Sequence, residues 1–150
     1  MSGLEVKPRV GFIGVGWIGR NRLAAMAATG RIEVAGIADT SKPMIEEARQ
    51  IAPQAAVAES LAELLDLDLD GVVIATPSAL HARQSIAALE RGAAVFCQKP
   101  LGRNASEARA VVEAARAADR LLGVDLSYRA TRAMGAVRDL VRNGDLGRIH

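Results

Sequence analysis

The chain is 150 residues long, 50% hydrophobic and 24% charged, with a net charge of +2 at neutral pH. That length suffices for one domain with a real core, and the composition excludes a disordered chain. The small charge argues against nucleic acid or an anionic membrane as partner, and the longest apolar runs, about five residues, fall far short of the roughly 20 that a membrane helix needs.

The N-terminal stretch Met1–Pro8 carries Glu5 and Lys7 and no apolar core, so no secretory leader is expected. Arg9 to Ile13 reads as a first strand. Trp17 to Thr29 reads as an Ala-rich helix closed by Gly30. Ile32 to Ala38 is a second strand. Ser41 is placed to cap a helix through about Ile51, with Pro43 in its first turn, where a missing N–H costs nothing. A short strand is expected over Ala55 to Ala58. Ser60 and Glu63 then form a capping box for a short helix to about Leu65.

Gly71 to Ala75 is wholly apolar, as a strand covered on both faces should be. Ser78 is placed to cap the next helix, whose apolar face is Ala82, Ile86 and Leu89 and whose end is Gly92. Ala94 to Cys97 is another buried strand. Ala108, Val111, Val112 and Ala115 mark an amphipathic helix, and Leu121 to Leu126 a further strand. Cys97 is the one cysteine, so no internal disulfide is available, which fits a reducing, cytoplasmic setting. Such alternation with short connections predicts an α/β fold of the Rossmann type: a doubly wound parallel sheet with helices on both faces.

Beyond it, Met134, Val137 and Val141 share one face of a helix ended by Gly144, and Leu146 to His150 reads as the start of a strand. A strand with no partner in the chain predicts that the native protein continues; the alternative is a self-sufficient domain with a frayed tail. Residues 1–126 are thus expected to form one α/β domain and 127–150 the first elements of a second. Arg129, Arg132, Arg138, Arg142 and Arg148 make this end mildly basic, read as a solvated helix face.

Four places carry candidate chemistry. Gly14-Val15-Gly16-Trp17-Ile18-Gly19 is a G-x-G-x-x-G between a strand and a helix. Gly14 permits the tight turn, Gly16 the approach of a pyrophosphate, and Gly19 close packing of helix on strand. Trp17 and Ile18 open the helix, whose N-terminus favours phosphate. Asp39, followed by Thr40, ends the second strand 20 residues after Gly19. A carboxylate there accepts from an adenosine ribose and repels a 2′-phosphate, which favours NAD; Lys42 nearby keeps NADP as the alternative. Asp39 could equally be a turn or capping residue.

Thr76, Pro77, Ser78 and His81 follow the Gly71 to Ala75 strand at its carboxyl end, where ligands of open α/β sheets bind. They are candidate cofactor contacts, with a capping or packing role as the alternative for His81. Gln98-Lys99-Pro100 ends the next strand. Lys99 there is either a surface lysine or a group that exchanges a proton with a substrate hydroxyl. No metal site is expected.

Taken together, VGFIGVGWIG, DGVVIATPSALHARQSIAALERG, VFCQKPLG and AVRDLVRNGDLGRI resemble the glucose–fructose oxidoreductase / inositol dehydrogenase (Gfo/Idh/MocA) family, over about Arg9 to Ile149. The resemblance implies an N-terminal NAD(P)-binding domain, a C-terminal α/β domain, a sugar, inositol or related hydroxy substrate, and a homo-oligomer. It also implies that Lys99 is the catalytic-site lysine and that Gln98 and Lys99 lie against the cofactor. The family's usual Glu-Lys-Pro has Gln98 at its first position here, which removes a carboxylate beside Lys99. The family's proton-transfer base lies in the second domain and matches no position in this chain. Two functions stay open: a dehydrogenase half, or a non-catalytic dinucleotide-binding regulator or assembly module with the same fold.

Overall fold

Strands and helices alternate throughout residues 6–149, the part of the chain that the computed structural model describes. Most of the stretch read for a leader, and His150, lie outside those residues. Strands β1 (Arg9–Ile13), β2 (Glu33–Ala38), β3 (Ala56–Ala58), β4 (Gly71–Ile74), β5 (Ala94–Gln98) and β6 (Leu122–Asp125) form one parallel sheet in the order β3-β2-β1-β4-β5-β6. Between them run α1 (Trp17–Ala28), α2 (Lys42–Ile51), α3 (Leu61–Leu65), α4 (Ser78–Glu90) and α5 (Ala105–Ala118). A 3-10 turn over Ser127–Ala130 leads into α6 (Arg132–Asn143). Parallel neighbours cannot be joined by a tight hairpin, so each strand needs a crossover, and the helices supply it. The doubly wound sheet expected from the alternation is the one observed.

Residues of the central strands point alternately into two cores. Phe12 and Val73 pack with Leu23 of α1 and Ala48 of α2. Val72, Ile74, Val95 and Cys97 pack with Leu64 of α3, Leu89 of α4 and Val111 of α5. Both faces of β4 are therefore covered, which is why its sequence is apolar without alternation.

Helix ends follow local chemistry, with three departures from expectation. At α3 the Ser60 hydroxyl accepts the Glu63 N–H at 3.2 Å, as a capping box requires, but Glu63 returns its carboxylate to the Glu59 N–H at 3.0 Å. Ser78 does not cap α4: it is the first helical residue, and Pro77 holds the cap position. Ser41 occupies the cap position of α2 but its side chain caps nothing; the Asp39 carboxylate accepts the Ser41 N–H instead, at 2.9 Å. Leu146 to Ile149 forms no strand, because a strand needs a neighbouring ladder and β6 is the outermost strand on that side. Helix α6 and its Gly144 terminus are as expected. Its Met134, Val137 and Val141 face is left 46%, 46% and 43% exposed.

Candidate functional site

The strand order changes direction between β1 and β4, and at such a switch point a crevice opens outside the carboxyl ends of the strands. The glycine loop lies across it. Gly14 has φ +80°, and a Cβ there would sit 2.6 Å from the carbonyl carbon of Ala75 and the nitrogen of Thr76. A Cβ on Gly19 would collide with the Gly14 carbonyl oxygen, so that glycine lets α1 fold back over the loop. Gly16 differs from both. A Cβ there would meet nothing within 4 Å, and this residue is the cap position of α1, with no side-chain cap. Packing within the chain therefore does not demand glycine at 16. The open space, together with uncapped N–H groups of the first helical turn, suits a pyrophosphate.

Asp39 fastens this loop to the end of β2. Its Oδ2 accepts the Val15 N–H at 2.8 Å and its Oδ1 the Ser41 N–H at 2.9 Å. Val15 is fully buried, so the carboxylate satisfies a donor that water does not reach. A carboxylate has about four acceptor sites, which leaves capacity for ribose hydroxyls. The turn role and the ribose role are compatible.

Two clefts flank the loop. One, of about 440 Å³, is bordered by Gly14, Gly16, Asp39, Thr40, Thr76 and Pro77, with Arg83 and Gln84 on its wall. The Thr76 hydroxyl donates to Gln84 at 2.5 Å, which steadies that wall. The other, of about 630 Å³, is bordered by Trp17, Ile18, Gln98 and Lys99, with Arg22 and Asp125 beneath. Lys99 is exposed and, among the described residues, enters no ion pair. Ser78 and His81 border neither cleft.

His81 lies where its alternative, packing role would put it. It is 1% exposed, with Nδ1 2.6 Å from the Pro100 carbonyl oxygen and Nε2 2.7 Å from that of Thr76. Both ring nitrogens thus face carbonyl oxygens of the protein, and a nitrogen donates there only when it carries the proton. The imidazole joins the loop after β4 to the loop after β5, and so ties together the segments that carry Thr76 and Lys99.

Sequence reasoning missed Arg22, Asp125 and Ser127. Asp125 is 5% exposed. Its Oδ2 is the partner of the Arg22 guanidinium and lies 3.2 Å from the Gln98 amide nitrogen, while its Oδ1 accepts the Ser127 N–H at 3.2 Å. Burial alone would raise this carboxyl; Arg22 and Ser127 outweigh it and hold the group below the usual aspartate value. One signal was available: Asp125 is the single charge in the otherwise apolar LLGVDL segment, and a buried charge requires a partner. Cys97 is also buried, and burial pushes its thiol up to about 11. It is no thiolate nucleophile at neutral pH.

Residues 8–126 match the family described as an oxidoreductase family with an NAD-binding Rossmann fold, GFO_IDH_MocA. The chain is 34% identical over 145 residues to a 1,5-anhydro-D-fructose reductase of Ensifer adhaerens, covering 93% of this chain and 42% of that protein. It is 31% identical over 146 residues to an inositol 2-dehydrogenase of Rhodococcus jostii, covering 94% of this chain and 39% of that protein. Among solved structures, the WlbA dehydrogenase from Bordetella pertussis in complex with NADH and UDP-GlcNAcA superposes with a TM-score of 0.86 at 30% identity, over 97% of this chain and 42% of that one. The chain thus spans about two fifths of the length of the curated relatives it matches. Among the described residues no helix is long and apolar enough to cross a membrane.

Proposed function

Because this chain belongs to the Gfo/Idh/MocA family of NAD-binding Rossmann-fold oxidoreductases, we propose that it holds NAD across the glycine loop as the cofactor-binding half of a dehydrogenase. The substrate is a sugar, inositol or related hydroxy compound. The observation that carries the reading is the open space before Gly16, set between two clefts at the switch point.

Each residue has a task in it. The first-turn N–H groups of α1 and the bare face of Gly16 hold the pyrophosphate. Asp39 accepts from the adenosine ribose and disfavours a 2′-phosphate, so NAD is preferred; Lys42, exposed at the start of α2, is the cation that would receive that phosphate if NADP were used. Thr76 and Pro77 border the smaller cleft beside the loop. Lys99, at the carboxyl end of β5, orients the reacting hydroxyl or carbonyl and exchanges its proton. When bound, the dinucleotide supplies the hydride acceptor or donor. A homo-oligomeric assembly and a cytoplasmic setting belong to the same proposal, supported by the family resemblance and the single buried cysteine.

The test is a calorimetric titration of the chain with NAD, beside a Gly16→Val variant. The added side chain fills space that packing leaves empty, so the variant should fold normally and lose dinucleotide affinity by several kcal/mol, as expected for blocking a close-approach glycine. A folded Gly16→Val protein with parent affinity removes the glycine loop as the site.

A further inference from the structure

Gln98 and Asp125 are register partners at the carboxyl ends of the adjacent strands β5 and β6. The Gln98 amide nitrogen donates to Asp125 Oδ2 at 3.2 Å, and its Oε1 accepts the backbone N–H of Lys99 at 2.8 Å. The same Oδ2 of Asp125 is paired with Arg22, which reaches across from α1 and also donates to the Ser127 hydroxyl at 3.3 Å. The orientation of the amide follows from its neighbours. Ionised Asp125 can only accept, and a backbone N–H can only donate. The side chain between them must donate at one end and accept at the other, with no net charge.

We propose that Arg22, Asp125 and Gln98 act as one positioning chain for Lys99, in which the negative charge resides at 125 and residue 98 is therefore required to be a neutral amide. The assignment rests on the proposed reading of Lys99 as the residue that exchanges the substrate proton. Its physical content is a charge location. Glutamate at 98 would set two carboxylates against each other at hydrogen-bond distance, where both cannot stay ionised cheaply. Its side chain would leave, and the Lys99 N–H would lose its acceptor. The carboxylate that Gln98 lacks is thus present one strand away, already neutralised by Arg22. Arg22, Asp125 and Gln98 all border the larger cleft, so moving this charge alters the wall on which Lys99 stands.

The experiment is a double-variant cycle in the 150-residue chain, read by hydrogen exchange of the Lys99 amide and by NADH titration. Gln98→Glu should speed exchange by about fivefold or more, the factor carried by one net hydrogen bond, and weaken NADH binding. Adding Asp125→Asn moves the carboxylate across the pair at constant total charge. It should return both readings to within about twofold of the parent, a coupling expected only of contacting residues. Gln98→Met keeps the volume, adds no charge and should also speed exchange, which keeps the test decisive if Gln98→Glu fails to fold. The proposal is overturned if the double variant is no nearer the parent than Gln98→Glu, or if Gln98→Met leaves the Lys99 amide at its parent rate. Exchange is read without dinucleotide. Failure of the parent chain to bind NADH would therefore count against the proposed function and leave the exchange cycle to decide the positioning chain.

Discussion

Asp39 serves two ends at once. It satisfies the buried Val15 N–H and is proposed to meet the ribose. Asp39→Ala should therefore do more than narrow the gap between NAD and NADP: it strands a buried donor, at a cost of about 1–3 kcal/mol. Asp39→Asn keeps an acceptor oxygen and should narrow the gap with the smaller stability loss. Calorimetry with both dinucleotides and denaturant unfolding separate the two effects; parent chain that binds NADP as tightly as NAD would assign the preference to Lys42. Asp125 makes a pH prediction. Its folded carboxyl lies below the ordinary aspartate value because Arg22 and Ser127 overcome the opposing effect of burial, so folding favours the ionised form. Its stabilisation is complete above the unfolded value of about 3.9 and is lost as pH falls through the folded value. As pH falls below about 5, the unfolding free energy of the parent should fall more steeply than that of Asp125→Asn. Parallel curves would mean that the buried pair adds nothing to stability.

At the scale of elements, the apolar periodicities located the helices, but cap chemistry placed their ends. Helix α5 starts at Asn104, whose side chain accepts the Glu107 N–H at 2.9 Å, while Glu107 accepts the Arg103 N–H at 2.8 Å. The apolar spacing of Ala108, Val111 and Ala115 did not reveal that cap. Ser78, which looked like a cap, is one residue inside α4, behind Pro77. Asn104→Ala should then cost about 1 kcal/mol, the usual worth of an N-cap, and Ser78→Ala almost nothing, both by chemical denaturation. Equal costs would restore a capping role to Ser78. His81 shows the same limit from another side. Its place beyond the carboxyl end of β4 made it a candidate cofactor contact, with packing as the alternative, and its ring is buried against the Thr76 and Pro100 carbonyls.

At the scale of the whole molecule, the two clefts and the glycine loop, the proposed dinucleotide cradle, lie within the chain, whereas the matched relatives extend well beyond what it covers. The 150 residues should therefore bind NAD and turn over no polyol, checked by titration and by absorbance of the reduced cofactor. In a longer polypeptide that does turn over, Lys99→Met should keep NAD affinity and lower the rate about 10²-fold or more, as for removal of an acid–base group. Turnover by the 150 residues alone would mean that no further domain is needed. The sequence by itself determined the doubly wound sheet and the place of the glycine loop. Strand apolarity, helix punctuation and G-x-G-x-x-G spacing are local patterns, written within one strand and its helix. Only the tertiary structure decided that Arg22, Asp125 and Gln98 meet. Arg22 and Asp125 are 103 residues apart and Gln98 and Asp125 27 apart. Their contact depends on β5 lying beside β6, with α1 packed above them, and strand order is set by how all the elements cover the sheet together rather than within any one strand and its helix.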